Sequence, residues 1–380
     1  MNEVVIVDGI RTPLARAGKD RSYYAALRAD DLSAACIRAL LGRNPRLDPA
    51  EIEDVVWGCA NQSGEQGFDL GRMSALLAEL PVAVAGTTVD RQCGSGLQAL
   101  NFAALAIMSG AGECAIAGGV EHMTRVPMGA GLSPNMRLLE RFPQDMFSMG
   151  LTAERLAAQY HIERAAADAF SLRSHQRAVA ARERFREEIV AVELPGAARA
   201  EIDQGPRADT SLEKLAALAP AFKPDGQVTA GSSSQISDGA AALLLMSARR
   251  ARALGLSPMA TIRATAVAGV RPELMGWGPV PASHKALQRA GIKIDDCDLV
   301  EINEAFAAQV LACNTDLGIA EERLNVNGGA IALGHPLGAS GARLMVTLVH
   351  EMRRRGARLG LATMCIGMGQ GIATVVEQFS

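Results

Sequence analysis

Four short stretches of this chain carry residue types able to do covalent and proton-transfer chemistry. The first is Arg91-Gln92-Cys93-Gly94-Ser95-Gly96, where a strand gives way to a helix. A thiol at a helix start faces unpaired N–H groups and the positive end of the dipole, which favour the thiolate. Ionisation alone gains little: a free thiol with a pKa of about 8.5 is already a few per cent ionised, so complete ionisation is worth at most about thirty-fold. A nucleophilic Cys93 therefore requires a base and an oxyanion hole. The other three stretches hold candidates. His335 sits between glycine turns in "NGGAIALGHPLGASGAR", Asn303 ends a strand in "EINEAFAAQ", and Cys365 stands two residues before Gly367 in "TMCIGMGQG". The glycines let backbone N–H groups approach a ligand closely.

Two other readings of the first stretch stay open at this level. "GSGLQA" (94–99) formally fits the glycine turn of a dinucleotide fold. It does not follow the first strand, and no acidic residue stands clearly at the end of the next one to bind a ribose. Cys93 could equally be a small residue in a crowded turn.

The elements that must position these residues alternate short β-branched runs with longer helical patterns, the mark of an α/β architecture. Strands are expected at 4–7, 52–59, 87–89 and 114–123, and helices at 30–41, 70–80 and from 95 to about 109. The order then returns. Residues 281–307 echo 31–61 as helix, acidic turn, apolar strand and polar loop, and residues 334–371 echo 90–123. The pattern implies two similar α/β halves, 1–117 (completed by about 239–258) and 259–380, with a pseudo-twofold that brings the corresponding loops to one site. An insertion at 118–238 reads as a lid, and its charged helix (163–189) as a solvated face.

Composition narrows the class. The chain has 380 residues, 49% apolar and 21% charged, enough for two ordinary domains. A net charge of -3 offers no general field for nucleic acid or anionic membrane, so an anionic ligand must be held locally. Seven cysteines without CxxC or His-rich spacing read as reduced thiols of a cytoplasmic protein, not a disulfide framework or zinc site. The apolar run at 4–7 reads as a buried strand rather than a signal segment, and no stretch approaches the ~18 apolar residues of a membrane span.

The motifs "RQCGSG" (91–96), "NEAFA" (303–307), "NGGAIALGHPLGASGAR" (327–343) and "CIGMGQG" (365–371), in this order, resemble those of the thiolase family, with "DGIRTP" (8–13) and "TAGSSSQISDGAA" (229–241) in agreement. The likeness runs along essentially the whole chain and is greatest to degradative 3-ketoacyl-CoA thiolases. It implies the thiolase-like duplicated α/β fold and an acyl-accepting Cys93, with His335 as its base and Cys365 as the second acid/base. It also implies a water on Asn303 that forms one oxyanion hole with His335, and a second hole from the N–H groups of Cys93 and Gly367. Ser234 and Phe222 would touch the pantetheine and adenine parts of coenzyme A, with Arg207 beside the nucleotide. Met149 would line the acyl pocket, and Phe306 would join the substrate contacts. Coenzyme A and acyl-CoA are substrates on this reading, with no cofactor and no metal. A homodimer or homotetramer is implied, with a hetero-oligomer including a hydratase/dehydrogenase subunit as a further possibility.

Two departures from the family pattern bear on substrate. Acetoacetyl-specific relatives carry a histidine before the Met-Gly pair, whereas "FSMG" has Ser148 here. That favours a degradative enzyme of longer chains. Met368 replaces a frequent glycine, as in many degradative members. The competing readings are an acetyl-CoA acetyltransferase or 3-oxoadipyl-CoA thiolase with the same site, a ketoacyl synthase, and a docking subunit without activity.

Overall fold

The computed structural model describes residues 2–379. The first half comprises β1 (Val4–Arg11), β2 (Ala15–Arg16), α1 (Ala29–Arg43), β3 (Asp54–Gly58), α2 (Leu70–Leu77), β4 (Ala85–Val89), α3 (Ser95–Ser109) and β5 (Cys114–His122). The middle holds α4 (Met149–Gln159), α5 (Arg164–Ala180), the short strands β6 (Val192–Glu193) and β7 (Arg199–Ala200), and α6 (Leu212–Ala216). Then follow β8 (Ser237–Ser247), α7 (Ala248–Ala253), β9 (Ala260–Gly269), α8 (Pro279–Ala290), β10 (Leu299–Ile302) and α9 (Ala307–Leu317). Helices α10 (Ala330–Leu333) and α11 (Leu337–Arg355) precede the final strands β11 (Leu359–Ile366) and β12 (Gln370–Gln378).

The strand path is β10-β11-β12-β9-β1-β8-β5-β3-β4, with β2 beside β8. Its two ends repeat one plan. In the first half β3 runs parallel to β5, β5 antiparallel to β8, and β8 antiparallel to β1. In the second half β10 runs parallel to β11, β11 antiparallel to β12, and β12 antiparallel to β9. The duplication expected from sequence is thus present as matched strand order and sense. The halves meet where β1 pairs β9 over only two positions, Val5 with Thr261 and Ile6 with Ala260.

Helices α3 and α11 form the central layer. Both pack against strands of both halves and against each other, and 14 of the residues of α11 are buried. The sequence of α3, "SGLQALNFAALAIMS", is apolar on most faces, and its buried residues include Leu97, Leu100, Ala103, Ala104 and Ile107. The two helices approach backbone to backbone at glycines. A Cβ at Gly341 would lie 2.4 Å from Leu97 N, and one at Gly96 2.6 Å from the Gly338 carbonyl oxygen. Alanine at either site forces the helices apart, an overpacking cost of about 1–3 kcal/mol. The outer layers are α1 with α2 on one side and α8 on the other, each over its own apolar cluster.

Two elements differ from their sequence reading. Helix α2 stops at Leu77 rather than Leu80, because Glu79 turns left-handed (φ 61°) just before Pro81. The charged segment 163–189 is not one solvated helix. Helix α5 ends at Ala180 and buries Ala167, Phe170, Ser174, His175 and Ala178 on one face, against α9 and α10 of the second half. The charges lie on the remaining face, so composition concealed a packed stripe.

Candidate active site

Strand β4 ends at Val89, and five residues turn the chain into α3. Gln92 adopts φ 47°, a left-handed conformation that costs a side chain strain and bends the turn sharply. The turn is held by the Gln92 N–H donating to Asp90 Oδ1 (2.7 Å), the Arg91 N–H to Ser95 Oγ (2.9 Å) and the Ser95 hydroxyl to the Gln92 carbonyl (2.6 Å). Cys93 is thereby left partly exposed, while the other six cysteines are buried. Its sulfur faces the N–H of Gly367 and its own N–H.

Electrostatics at Cys93 run against the helix-dipole expectation. Burial pushes the thiol up to about 11, opposed by the Gly367 N–H and reinforced by the charge of Glu121. The low-dielectric surroundings outweigh the dipole and the two amides. At pH 7 only about one molecule in 10⁴ would carry the thiolate. The resting state is a thiol.

His335 is held in a defined orientation on the loop between α10 and α11. Its main-chain N–H donates to the Gln235 carbonyl (3.0 Å). The Ser340 hydroxyl donates to the Pro336 carbonyl (3.1 Å), so Ser340 Oγ accepts from His335 Nδ1–H at 2.6 Å. That bond leaves the lone pair on Nε2, which faces the Asn303 amide group at 3.4 Å. Burial, then the charge of Arg343, pushes the imidazole down to about 3, so the ring is neutral at working pH. Asn303 is fully buried at the end of β10, and its Oδ1 has no partner among the described residues. An orphaned acceptor beside a histidine suits a bound water.

Cys365 closes β11 next to these groups. It is buried in a small apolar cluster with Phe306, Ala305, Val228, Ala153 and Met275, and Met149 packs against it. Burial raises its thiol well above the ordinary range, and the nearby Cys93 raises it further. A proton donor kept as a thiol in an apolar wall fits transfer to carbon.

Four of the five residues expected to bind substrate gather beside this cluster. Met149 Sδ stands 3.8 Å from where a Cβ on Gly367 would be. Phe222 packs edge-to-face on Phe306 (ring centroids 5.8 Å apart) and lies over Gly150, where a Cβ would be 2.1 Å from its ring. The Ser234 N–H donates to the Ala305 carbonyl (2.9 Å). Arg207 is apart from them, exposed in a loop whose backbone N–H donates to His175 Nδ1 (3.1 Å).

Several supporting residues were not singled out from sequence. Gln235 Nε2 donates to the carbonyls of Ile331 (3.1 Å), Ala332 (2.9 Å) and Gly205 (3.2 Å), gripping the loop that carries His335. The Glu304 carboxylate accepts from Ser174 Oγ (2.6 Å), Asn325 Nδ2 (2.9 Å) and the Ile331 N–H (3.2 Å), which ties α5 to the Asn303 loop. Glu304 adjoins Asn303 in "NEAFA", the one sequence signal that could have found it.

Comparison with known proteins identifies the family. Residues 4–249 match the family model "Thiolase, N-terminal domain" and residues 256–378 match "Thiolase, C-terminal domain". The chain is 52% identical over 388 residues to a curated protein of Cronobacter sakazakii named 3-ketoacyl-CoA thiolase, with both chains fully covered. It is likewise 52% identical over 388 residues to a protein of the same name from Aeromonas salmonicida, again with full coverage of both. Among solved structures, the Bacillus anthracis acetyl-CoA acetyltransferase superposes with a TM-score of 0.92 at 39% identity, over 100% of this chain and 99% of that one.

Proposed function

The chain belongs to the thiolase family, and from that premise we propose that it cleaves a 3-ketoacyl-CoA with coenzyme A into acetyl-CoA and a shortened acyl-CoA. The observations that carry the mechanism are two N–H groups at the Cys93 sulfur, a second thiol at Cys365 nearby, and a neutral His335 whose Nε2 is unprotonated.

Cys93 Sγ attacks the C3 ketone carbon as its proton passes to His335 Nε2. The oxyanion that forms is received by the N–H groups of Cys93 and Gly367. Its collapse breaks the C2–C3 bond, and the electron pair moves onto C2 and the thioester oxygen. The imidazolium N–H of His335 and a water on Asn303 receive that enolate charge. Cys365 then gives its proton to C2, and acetyl-CoA leaves with the acyl group still on Cys93. The incoming CoA thiol loses its proton to the Cys365 thiolate and attacks the thioester, which expels Cys93. His335 returns the proton to Cys93. Each oxyanion donor is worth about 10²–10³ in rate.

Met149, Phe306 and the apolar wall would hold the acyl chain, and Ser234 with Phe222 the pantetheine arm. Ser148 in place of the histidine of acetoacetyl-specific relatives supports longer 3-ketoacyl substrates and a place in fatty-acid β-oxidation in the cytoplasm. Coenzyme A and acyl-CoA enter as substrates, and the steps above call for no cofactor. Among the described residues, no helix is long and apolar enough to cross a membrane. Brief incubation with acetyl-CoA, acid quench and peptide mapping tests the reading. A single acetyl group on the Cys93 peptide is expected. Absence of any adduct from both acetyl-CoA and a long 3-ketoacyl-CoA would refute it.

The proposal includes a homodimer built on the β4 end of the sheet. That strand lies at the edge of the sheet, beside exposed Leu76, Leu77, Val82, Phe102 and Leu105. An open edge flanked by apolar side chains is unfavourable in a lone protomer. Light scattering should give at least twice the chain mass of 39.9 kDa at micromolar concentration, and a clean monomer would exclude the dimer.

A further inference from the structure

Glu121 lies at the end of β5, fully buried, and no step above uses it. Both its oxygens are saturated by donors. Oε2 accepts from the Ala60 N–H (3.0 Å) and the Gly338 N–H (2.8 Å), and Oε1 from the Asn61 N–H (3.1 Å) and Gln66 Nε2 (2.9 Å). The Cys59 thiol is 3.8 Å from Oε1. Burial raises this carboxyl, but four N–H donors and no facing acceptor leave it no role except as an anion.

Its location gives the anion a purpose. Gly338 is in the first turn of α11, three residues after His335. The same Gly338 packs against the turn that carries Cys93, since a Cβ at Gly96 would touch the Gly338 carbonyl at 2.6 Å. A Cβ at Gly119, two residues before Glu121, would also meet that carbonyl, at 2.2 Å. Glycines at both positions let β5 and the N-termini of α3 and α11 converge, and a single carboxylate ties the α11 terminus to the loop after β3. We propose that Glu121 is a positioning residue for the thiolase reaction, holding the His335 turn at the distance from Cys93 that proton transfer requires.

This inference rests on the thiolase reading, and wild-type turnover with an acyl-Cys93 adduct is the control that keeps the two separable. Glu121→Gln must present an NH₂ to two N–H donors, whereas Glu121→Asp keeps the charge but falls short by one methylene. In both variants kcat for cleavage is expected to fall about ten- to a hundredfold, as a misplacement of ~1 Å can cost. KM should stay within about twofold, because no substrate contact is lost. Alkylation of Cys93 should slow at pH 7 and approach the wild-type rate towards pH 10, where direct ionisation replaces the base. A general loss of packing would not be rescued by pH. Should neither variant fold, Gln66→Leu removes one donor, and a kcat reduced severalfold at unchanged KM is expected. Wild-type kcat in the folded variants would overturn the proposal. So would faster alkylation in Glu121→Gln alongside a normal Glu121→Asp, which would mark a role of charge rather than position.

Discussion

His335→Ala should lower turnover at pH 7 by about three orders of magnitude and convert a flat pH dependence of Cys93 alkylation into a steep one. With the thiol pushed up to about 11, ionisation without a base supplies only about one thiolate in 10⁴ at neutrality. A placed general base that takes the proton as the sulfur bonds to carbon contributes about 10²–10⁴. The sign of the pH effect follows. His335, held down to about 3, stays unprotonated from acid pH upward, so the wild-type rate is nearly level across neutrality. In the variant the rate must climb about tenfold per unit until the thiol itself titrates. Stopped-flow alkylation between pH 6 and 10 reads the difference directly. An unchanged rate and slope in the variant would remove His335 as the base of Cys93.

Cys365→Ser should separate the two halves of the reaction. Acylation of Cys93 by acetyl-CoA should persist, while cleavage of a 3-ketoacyl-CoA falls by about 10³-fold or more. The reason lies in what surrounds the thiol: Phe306, Ala305, Val228, Ala153, Met275 and Met149 are all apolar. No neighbour in that cluster can donate a proton to C2 in its place, and a serine hydroxyl is far too weak an acid. The substitution is nearly isosteric in a buried wall, so folding should survive. Measuring the acetyl adduct and steady-state cleavage on one preparation tests both clauses. Near-normal cleavage in the variant would defeat the assignment.

The elements that carry these residues were legible because their signals are local. Alternating apolar runs placed β1, β3 and β5, and the return of one pattern at 281–371 pointed to the duplication. Cys93, His335 and Cys365 stood out because each lies among glycines, and Asn303 because it ends an apolar strand. The misread elements failed for want of partners in view. Segment 163–189 reads as solvated until the second half supplies a surface for Phe170 and Ser174. Glu121 reads as one more strand-end carboxylate until Gly338, 217 residues away, donates to it. Gln235, Glu304 and the shared grip on the His335 loop are likewise long-range.

What the amino-acid order determined by itself is the set of reactive types, the turns that expose them and the repeat that brings their loops together. Hydrogen-bond reach, glycine conformation and helical periodicity act over a few residues, so they are written in short stretches. The state of those reactive groups was decided by the tertiary structure alone. The local helix start argued for a thiolate at Cys93, yet burial in the folded chain pushes that thiol up to about 11 and the His335 imidazole down to about 3. Burial is the sum of contacts from both halves of the chain, and only the assembled fold sets the dielectric in which a charge must exist.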